Sequence, residues 1–510
     1  MPDTALLQDR AQVFVTAAEA YPAFERMVVN TQGELLLSFR IFDLDTRLRS
    51  PEGQMVGQTW SDLLADALRR GVRVGVWLSD FDPLMATDLH RGTWQSVRQL
   101  RRIQRFGDLT IHPMLHPAKV GLLPRVAYSP LIGWRLSQRR RALKAMPHRQ
   151  RQRYLREVPA LCDLLHGFTV GKAALFPASH HQKVAVSDGR FVYIGGLDLD
   201  ERRWDSQDHD QPTQETWHDV QMLMDDRELA AETRPHITTL IDVTHGDAEP
   251  APTRKLLRTL SRRHTRLNVL AISPKSIVSQ LRSAHLEQIA ESTTLIYLET
   301  QFLRDRDIAR ALARRAREVP DLKLIVVLPA APEAVAFEEK IPLDARFGEF
   351  LQARAIRKLR RAFGSRMIIG SPVQKRAPSA EDISTNRATL RGSPIVYLHA
   401  KVSIFDDRAA IVSSANLNGR SMNWDTEAGG MLTDGAEVDR VRRAVTGAWL
   451  PEHVPDAAFQ PSEAFPVWKA ILRKNARVRP EDRKGFLVPY DDASAREDAQ
   501  IVVGVPEEMV

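Results

Sequence analysis

Two short segments of the chain carry histidine, lysine and aspartate at one shared spacing, His-x-Lys-x-x-x-x-Asp. The residues are His181, Lys183 and Asp188 in the first segment, and His399, Lys401 and Asp406 in the second. Residues i and i+2 of a β-strand point to the same face, so each histidine is presented beside its lysine. A lysine can neutralise the non-bridging oxygens of a phosphoryl group while a histidine attacks phosphorus or transfers a proton. The pattern therefore predicts phosphoryl chemistry, with one histidine as nucleophile and the other as general acid.

The motifs lie inside a longer internal repeat. Residues 181–198 (HQKVAVSDGRFVYIGGLD) align without a gap on residues 399–416 (HAKVSIFDDRAAIVSSAN), at an offset of 399 − 181 = 218 residues. Each copy predicts a strand, a tight turn at the aspartate and a second strand that ends in small residues. Two copies of a large unit indicate duplicated domains rather than a solenoid. A pseudo-twofold arrangement of the copies would bring both histidines into one site.

The segments around the motifs predict an α/β fold. In the first half we expect strands over residues 35–42 and 72–78, with a helix over 60–70 between them. The second half repeats this order, with strands over 295–298 and 322–328 and a helix over 307–317. We therefore predict two pseudo-symmetric α/β/α sandwich domains that share an active site at their interface.

Composition changes mark the expected domain boundaries. The predicted domains are residues 1–246 and 253–490, joined by a polar, proline-rich linker at 247–252. The tail, residues 491–510, is polar and then apolar, and we assign it no role.

Four further segments, together with the two motifs, resemble the phospholipase D superfamily. They are 413–421 (SSANLNGRS), 296–302 (IYLETQF), 203–205 (RWD) and 217–219 (WHD). The resemblance extends from about residue 35 to 488 and is closest in appearance to phosphatidylcholine-type phospholipases D. Ser413, Thr300 and Phe302 depart from the residues usual in that family.

The resemblance implies roles for the motif residues. His181 would form a covalent phosphohistidine, and His399 would protonate the leaving alcohol and then activate water. Lys183 and Lys401 would hold phosphate oxygens, and Asn416 would donate a further hydrogen bond. Because pseudo-symmetry makes the two histidines alike, the residues themselves leave open which one is the nucleophile.

The same resemblance implies supporting roles. Asp219 and Glu427 would orient the two imidazoles, as an acid does in other histidine-based sites. Asp188 and Asp406, counted with the catalytic set, are expected to shape the site rather than react. The residues expected to bind substrate are Gly196, Ser414 and Trp204. We expect no metal or cofactor, since His180, His209 and His218 show no familiar ligand spacing and have no thiol partner.

These features predict a phospholipase D-like enzyme that hydrolyses glycerophospholipids to phosphatidic acid and a head-group alcohol. The alternatives are a phosphatidyltransferase resembling cardiolipin synthase and a metal-independent nuclease. A catalytically silent module would require broken motifs, whereas both motifs are intact.

Composition and charge limit the partners and the cellular location that are expected. The 510 residues carry a formal net charge of +8, which favours anionic partners. A phospholipid substrate with transient contact to an anionic membrane is expected, and nucleic acid is less favoured because few aromatic residues interleave the charges. With no standard signal peptide and no apolar run of ~20 residues, we expect a monomer in the cytoplasm, peripheral at the membrane.

Two basic runs carry alternative interpretations. Residues 135–156 (RLSQRRRALKAMPHRQRQRYLR) predict either a solvated helical insertion or a membrane-docking element, with Trp134 and Tyr154 at the interface. Residues 353–361 predict a second basic helix with the same two interpretations. Cys162, the only cysteine, cannot form an intrachain disulfide and is expected to be a buried thiol.

Overall fold

The computed structural model describes residues 10–166, 174–265, 268–338, 341–382, 385, 387–497, 499–502 and 506–509. Within these residues the chain forms one large mixed sheet in each half, of seven strands in the first half and nine in the second. In the part of the chain so described, no helix combines the length and the hydropathy needed to cross a bilayer.

The first-half sheet places its parallel strands at one side. Its strands are β1 Ala11–Val15, β2 Glu34–Phe39, β3 Arg73–Asp80, β4 Leu109–Leu115, β5 Val184–Ser187, β6 Phe191–Gly195 and β7 Val220–Asp225. They lie in the order β1-β7-β6-β5-β2-β3-β4, with β2, β3 and β4 parallel and the other neighbours antiparallel. Strand β3 is buried along nearly its whole length, as expected for a parallel strand covered on both faces.

The helices of the first half cover this sheet. They are α1 Ala17–Asn30, α2 Pro51–Val56, α3 Trp60–Arg69, α4 Thr87–Ile103, α5 Leu122–Ala127, α6 Ser129–Ala145, α7 His148–Glu157, α8 Ala160–His166, α9 Arg227–Thr238 and α10 Leu240–His245. Helices α1, α3 and α4 bury Phe24, Trp60 and Leu100 in one apolar cluster against the sheet. Helix α3 begins at a capping box, where Asp62 accepts a hydrogen bond from the backbone N–H of Thr59 at 3.0 Å.

The second half repeats this topology with two added edge strands. Its strands are β8 Leu256–Arg262, β9 Lys275–Ser279, β10 Leu295–Thr300, β11 Lys323–Val327, β12 Met367–Pro372, β13 Thr389–Leu390, β14 Ser393–Pro394, β15 Lys401–Phe405, β16 Ala409–Ser413, β17 Glu427–Leu432 and β18 Leu487–Pro489. Its helices are α11 Gln280–Glu291, α12 Arg306–Glu318, α13 Glu333–Phe337, α14 Leu343–Phe363, α15 Gly419–Asn423, α16 Gly435–Gly447, α17 Ala464–Asn475 and α18 Ser494–Glu497.

The two sheets are equivalent strand by strand. The first runs β4-β3-β2-β5-β6-β7-β1 and the second β12-β11-β10-β15-β16-β17-β8, with β9 and β18 at the edges of the second sheet. The parallel and antiparallel pairings also coincide. One apolar core joins the halves, with Val184 and Met222 from the first and Val402 and Val412 from the second. The predicted fold class, a duplicated α/β architecture, is confirmed.

Local differences from the predictions have simple causes. The strand predicted over 35–42 ends at Phe39, where the chain leaves the sheet. Cys162 is half-buried rather than buried, because the helical period of α8 turns Leu161 and Leu164 inward instead. The basic run 135–156 forms most of α6 and α7, and helices α5–α8 stand between β4 and β5.

Candidate active site

Each motif histidine stands just before the first strand of its repeat and is fixed there by the other half of the chain. The backbone N–H of His181 donates to the carbonyl of Thr426 at 2.8 Å, and that of His399 donates to the carbonyl of His218 at 2.8 Å. Both bonds cross between the halves. The two motifs are therefore bound into the domain interface by their backbones as well as by their side chains.

His181 and His399 line one cavity of about 720 Å³ at this interface. Asn416 lies on the same wall, and its Oδ1 is buried without a hydrogen-bond partner among the described residues. The cavity is also lined by four arginines: Arg40, Arg203, Arg304 and Arg420. Three of its four acidic residues, Asp425, Glu333 and Asp344, each lie within 3.5 Å of an arginine, and Glu338 is the fourth. A pocket of this kind suits an anionic group beside two imidazoles.

The carboxylates that orient the imidazoles are exchanged between the halves. Asp219, from the first half, has Oδ2 2.6 Å from Nδ1 of His399 in the second half. Glu427, from the second half, has Oε2 3.1 Å from Nδ1 of His181 in the first. Both carboxylates are fully buried. With Nδ1 engaged in each ring, Nε2 is the nitrogen left for chemistry in the cavity.

Gly196 and Ser414, equivalent under the 218-residue offset, lie behind these carboxylates rather than on the cavity wall. A Cβ on Gly196 would lie 2.2 Å from Oδ1 of Asp219, so only glycine leaves room for that carboxylate. The hydroxyl of Ser414 donates to Oε2 of Glu427. Neither residue lines the cavity, and both adjoin the carboxylates that face the histidines; their role in substrate binding stays a prediction.

The two motif lysines are buried against their own histidines. Nζ of Lys183 donates to the carbonyl of His181 at 2.6 Å and lies 3.6 Å from Oδ2 of Asp198. Nζ of Lys401 lies 2.8 Å from Nδ1 of His399. Asp198 occupies the position equivalent to Asn416, and the repeat alignment was the signal that could have identified it as a site residue.

Burial governs the protonation of the site. Burial, followed by the charge of the adjacent lysine, lowers the pKa of both His181 and His399 well below the usual value. Burial also raises the pKa of Asp219, raises the pKa of Glu427 to about 8 and lowers the pKa of Lys401 to about 7. A bound anion would oppose the effect on the histidines, since it favours imidazolium.

Asp188 and Asp406 lie outside the cavity, at the far ends of β5 and β15 from the histidines. Oδ1 of Asp188 accepts from the backbone N–H groups of Gly33 and Glu34, at 2.7 and 3.0 Å. Asp406 makes the equivalent bonds to the residues that enter β10. Both aspartates have φ of 49° and turn the hairpin that follows each motif. They hold strands together and do not contact the reacting groups.

Trp217, rather than Trp204, lines the cavity. The Trp217 ring centroid lies 4.7 Å from that of His399, and the guanidinium of Arg203 lies 3.4 Å from the Trp217 ring. Trp204 instead packs under Arg49 on the far side of this segment. Trp204 does not line this cavity, and its binding of substrate stays a prediction.

A chain of buried polar side chains supports the segment that carries Asp219. Nδ1 of His209 lies 2.7 Å from Oδ2 of Asp205, and Nε2 of His209 lies 3.3 Å from Nδ1 of His218. Nε2 of His218 in turn lies 3.1 Å from Oε1 of Glu299, from the second half. These residues fall in the family-like segments 203–205, 217–219 and 296–302 or close to them, but their spacing alone predicted no role for them. Among the described residues, no group of three His, Cys, Asp or Glu is arranged to hold a metal ion.

The tail also reaches the site. Met509 lines the cavity, and Glu507 forms an ion pair with Arg354 of α14. No role could be predicted for the tail, because nothing in its composition indicates where a short terminal segment docks.

The chain is similar to several known proteins. Residues 285–449 match the model of a family described as cardiolipin synthase, PLD-like domain. The chain is similar to phospholipase D1 of Saccharomyces cerevisiae, with 24% identity over 349 residues that cover 50% of this chain and 20% of the yeast protein. It thus spans about a fifth of that relative's length. It is also similar to the crystal structure of phosphatidylserine synthase from Haemophilus influenzae Rd KW20, with a TM-score of 0.52, 12% identity and coverage of 92% and 95% of the two chains. At that identity the structural likeness concerns the fold alone.

Proposed function

The chain belongs to the phospholipase D superfamily, and from that premise we propose that it hydrolyses glycerophospholipids to phosphatidic acid and a free head-group alcohol. The observation that carries the proposal is the pair of crossed histidine–carboxylate contacts facing one arginine-lined cavity. Two imidazoles with their Nε2 atoms free on either side of an anion suit a double displacement at phosphorus.

In the first displacement His181 is the nucleophile. Its Nε2 attacks phosphorus, a P–N bond forms, and the bond from phosphorus to the head-group oxygen breaks. His399 gives the departing oxygen its proton, so a free alcohol leaves and a phosphatidyl-histidine remains. The phosphoryl oxygens are held by the Lys183 and Lys401 ammonium groups and by Asn416.

In the second displacement water takes the place of the alcohol. Neutral His399 accepts a proton from water, the water oxygen attacks phosphorus, and the P–N bond breaks. Phosphatidic acid leaves, His181 returns to its neutral form, and His399 is again protonated. The cycle therefore consumes one water and needs no further reactant.

The electrostatics of the two pairs support this order of roles. Because burial raises the pKa of Glu427 to about 8, that carboxyl holds less than a full charge near neutral pH. A weakly charged partner favours the neutral, nucleophilic form of His181. Asp219 makes the shorter contact, 2.6 Å to Nδ1 of His399, and this shorter contact would stabilise the imidazolium that a general acid requires.

Phosphatidyl transfer is the second candidate. It uses the same site, with an alcohol instead of water in the second displacement. The match of residues 285–449 to a family described as cardiolipin synthase favours it. The acceptor, rather than the motif residues, distinguishes the two reactions.

The test is a lipid assay on the full chain in EDTA. Liposomes of phosphatidylcholine and phosphatidylethanolamine are incubated with ethanol, and the lipid products are identified by mass spectrometry. We expect phosphatidic acid and phosphatidylethanol from the wild type and from His453→Ala, an exposed control, but not from His181→Ala or His399→Ala. If no lipid product forms and DNA is cleaved in the same buffer, the proposed lipid substrate is wrong and nucleic acid is the substrate instead.

An activated substrate distinguishes the two histidines. With a p-nitrophenyl phosphodiester, the leaving group departs without a proton, so loss of the general acid spares the first displacement. His399→Ala should then release one equivalent of nitrophenol and accumulate a base-stable phosphohistidine, whereas His181→Ala should release none. The opposite result would exchange the two roles.

A further inference from the structure

The net charge of the whole chain is concentrated in one segment, residues 121–166, which contains helices α5–α8 and is called the insertion surface here. It holds ten Lys and Arg residues against two acids, a net +8. The whole chain has 72 basic and 64 acidic residues, also +8. The rest of the chain is therefore balanced, with 62 of each sign, and the basic character of the protein belongs to this insertion.

Most of these cations are not neutralised by the protein. Three of them approach a carboxylate: Arg135 lies 3.4 Å from Asp344, Arg139 3.7 Å from Asp88 and Arg153 2.9 Å from Glu157. The other seven have no carboxylate within salt-bridge distance in the described part of the chain. They are Arg125, Arg140, Arg141, Lys144, Arg149, Arg151 and Arg156. Unpaired surface cations at this density attract an external polyanion or anionic surface.

The same segment exposes a patch of large apolar side chains. The exposed fractions are 49% for Leu122, 53% for Leu123, 60% for Val126, 40% for Leu131 and 55% for Trp134. Nine large apolar residues are exposed to this degree among the described residues, and these five fall on α5 and α6. Single exposed apolar residues are ordinary, but five on consecutive helices form a contact surface.

The insertion surface stands at the rim of the catalytic cavity. Arg135 pairs with Asp344, which lines the cavity. Arg139 and Tyr154 both approach Asp88, whose neighbour Leu89 also lines the cavity. An object that docks on α6 therefore lies close to residues that line the cavity.

We propose that the insertion surface docks on a bilayer containing anionic phospholipid and holds the cavity entrance against the lipid. Leucine, valine and tryptophan enter the interfacial region, and the unpaired cations contact the head groups. A nucleic acid would be attracted by the same charge but would leave the apolar patch in water, so the bilayer fits the surface better. The catalytic purpose of the docking rests on the proposed phospholipid substrate. The docking itself rests only on the charge and the exposed apolar residues of the insertion surface.

Vesicle co-sedimentation in the inactive His181→Ala background tests the docking without turnover. The vesicles are phosphatidylcholine alone, or equal parts of phosphatidylcholine and phosphatidylglycerol. The variants are Arg141→Glu/Arg149→Glu for charge and Leu131→Ser/Trp134→Ser for insertion. Arg314→Glu/Arg317→Glu, on the exposed face of α12, is the matched control. Thermal unfolding checks that each variant is folded.

We expect binding to the mixed vesicles, with each insertion variant weakened on the order of tenfold and the control unchanged. Equal binding to both vesicle types, no binding, or no effect of the insertion variants would overturn the proposal. Preferential binding of a DNA duplex over the mixed vesicles at the same salt would overturn it too.

In the active background, the insertion variants should lose more activity on vesicles than on monomeric short-chain lipid. If no lipid is hydrolysed at all, the proposed function fails while the sedimentation result still decides the docking.

Discussion

Asp219 and His399 belong to different halves of the chain, yet Oδ2 of one lies 2.6 Å from Nδ1 of the other. The reverse pair, Glu427 and His181, meets at 3.1 Å. Each half thus orients the imidazole of the other half rather than its own. Because each half supplies the carboxylate for the histidine of the other half, both histidines depend on the same interface.

Removing either exchanged carboxylate should disable catalysis. Asp219→Asn keeps the shape of the side chain but leaves the His399 imidazolium without its counter-charge. We expect kcat to fall on the order of a hundred- to ten-thousand-fold, by analogy with other acid–histidine pairs. Steady-state kinetics on a short-chain phospholipid measure the effect, with Asp247→Asn, in the connection between α10 and β8, as control. A loss of less than threefold would show that the contact does not orient the general acid.

Gly196→Ala should damage the site through Asp219. The added Cβ would lie 2.2 Å from Oδ1, a distance that real Cβ atoms do not tolerate, so the carboxylate must move away from His399. We expect a loss of activity close to that of Asp219→Asn. Gly92→Ala, in helix α4 with nothing within 4 Å of the new methyl, is the matched control and should keep full activity. Wild-type activity of Gly196→Ala would contradict the positioning role.

Asp188 should matter for stability far more than for chemistry. Asp188→Ala removes the acceptor for three backbone N–H groups and places alanine at φ of 49°. We expect a loss of about 3 kcal/mol in the free energy of unfolding, measured by urea denaturation. Asp188→Asn tolerates the left-handed backbone and should lose less. If kcat of folded Asp188→Ala fell as far as that of Asp219→Asn, the structural role would be wrong.

The pH dependence of stability should report the burial of Glu427. Its pKa is raised from 4.5 to about 8 in the folded state, so between these values the folded protein holds a proton that the unfolded chain has lost. Stability contributed by this group is full below about 4.5 and is lost as pH rises toward 8. Lys401, lowered from 10.5 to about 7, acts in the opposite direction at higher pH.

Glu427→Gln isolates this contribution. The difference in unfolding free energy between the variant and the wild type should shift in favour of the variant as pH rises from about 5 to 8, because glutamine never ionises. Urea denaturation at a series of pH values measures it. A difference that stays constant over this range would contradict the raised pKa.

The sequence predicted the two equivalent sheets and the shared cavity better than it predicted which side chains contact each other in the site. The duplicated motifs predicted two equivalent sheets and a shared cavity, because a gapless repeat preserves strand order and register. The repeat could not show that Asp219 faces His399, because a local motif does not indicate whether a side chain contacts its own half of the chain or the other half. Trp204 and Trp217 both follow the first motif closely in sequence, and only packing decides that Trp217 reaches the cavity. The docking of Met509 depends in the same way on the whole tertiary structure.

The backbone bonds from His181 to Thr426 and from His399 to His218 limit how this protein can move. A hinge rotation of one half against the other would break both bonds and separate both imidazoles from their acids at once. Opening and closing in the manner of two-lobed clamping enzymes would therefore cost both bonds and both histidine–carboxylate contacts together. The two bonds leave free the local movements of the cavity wall, to which helix α13 and Met509 contribute.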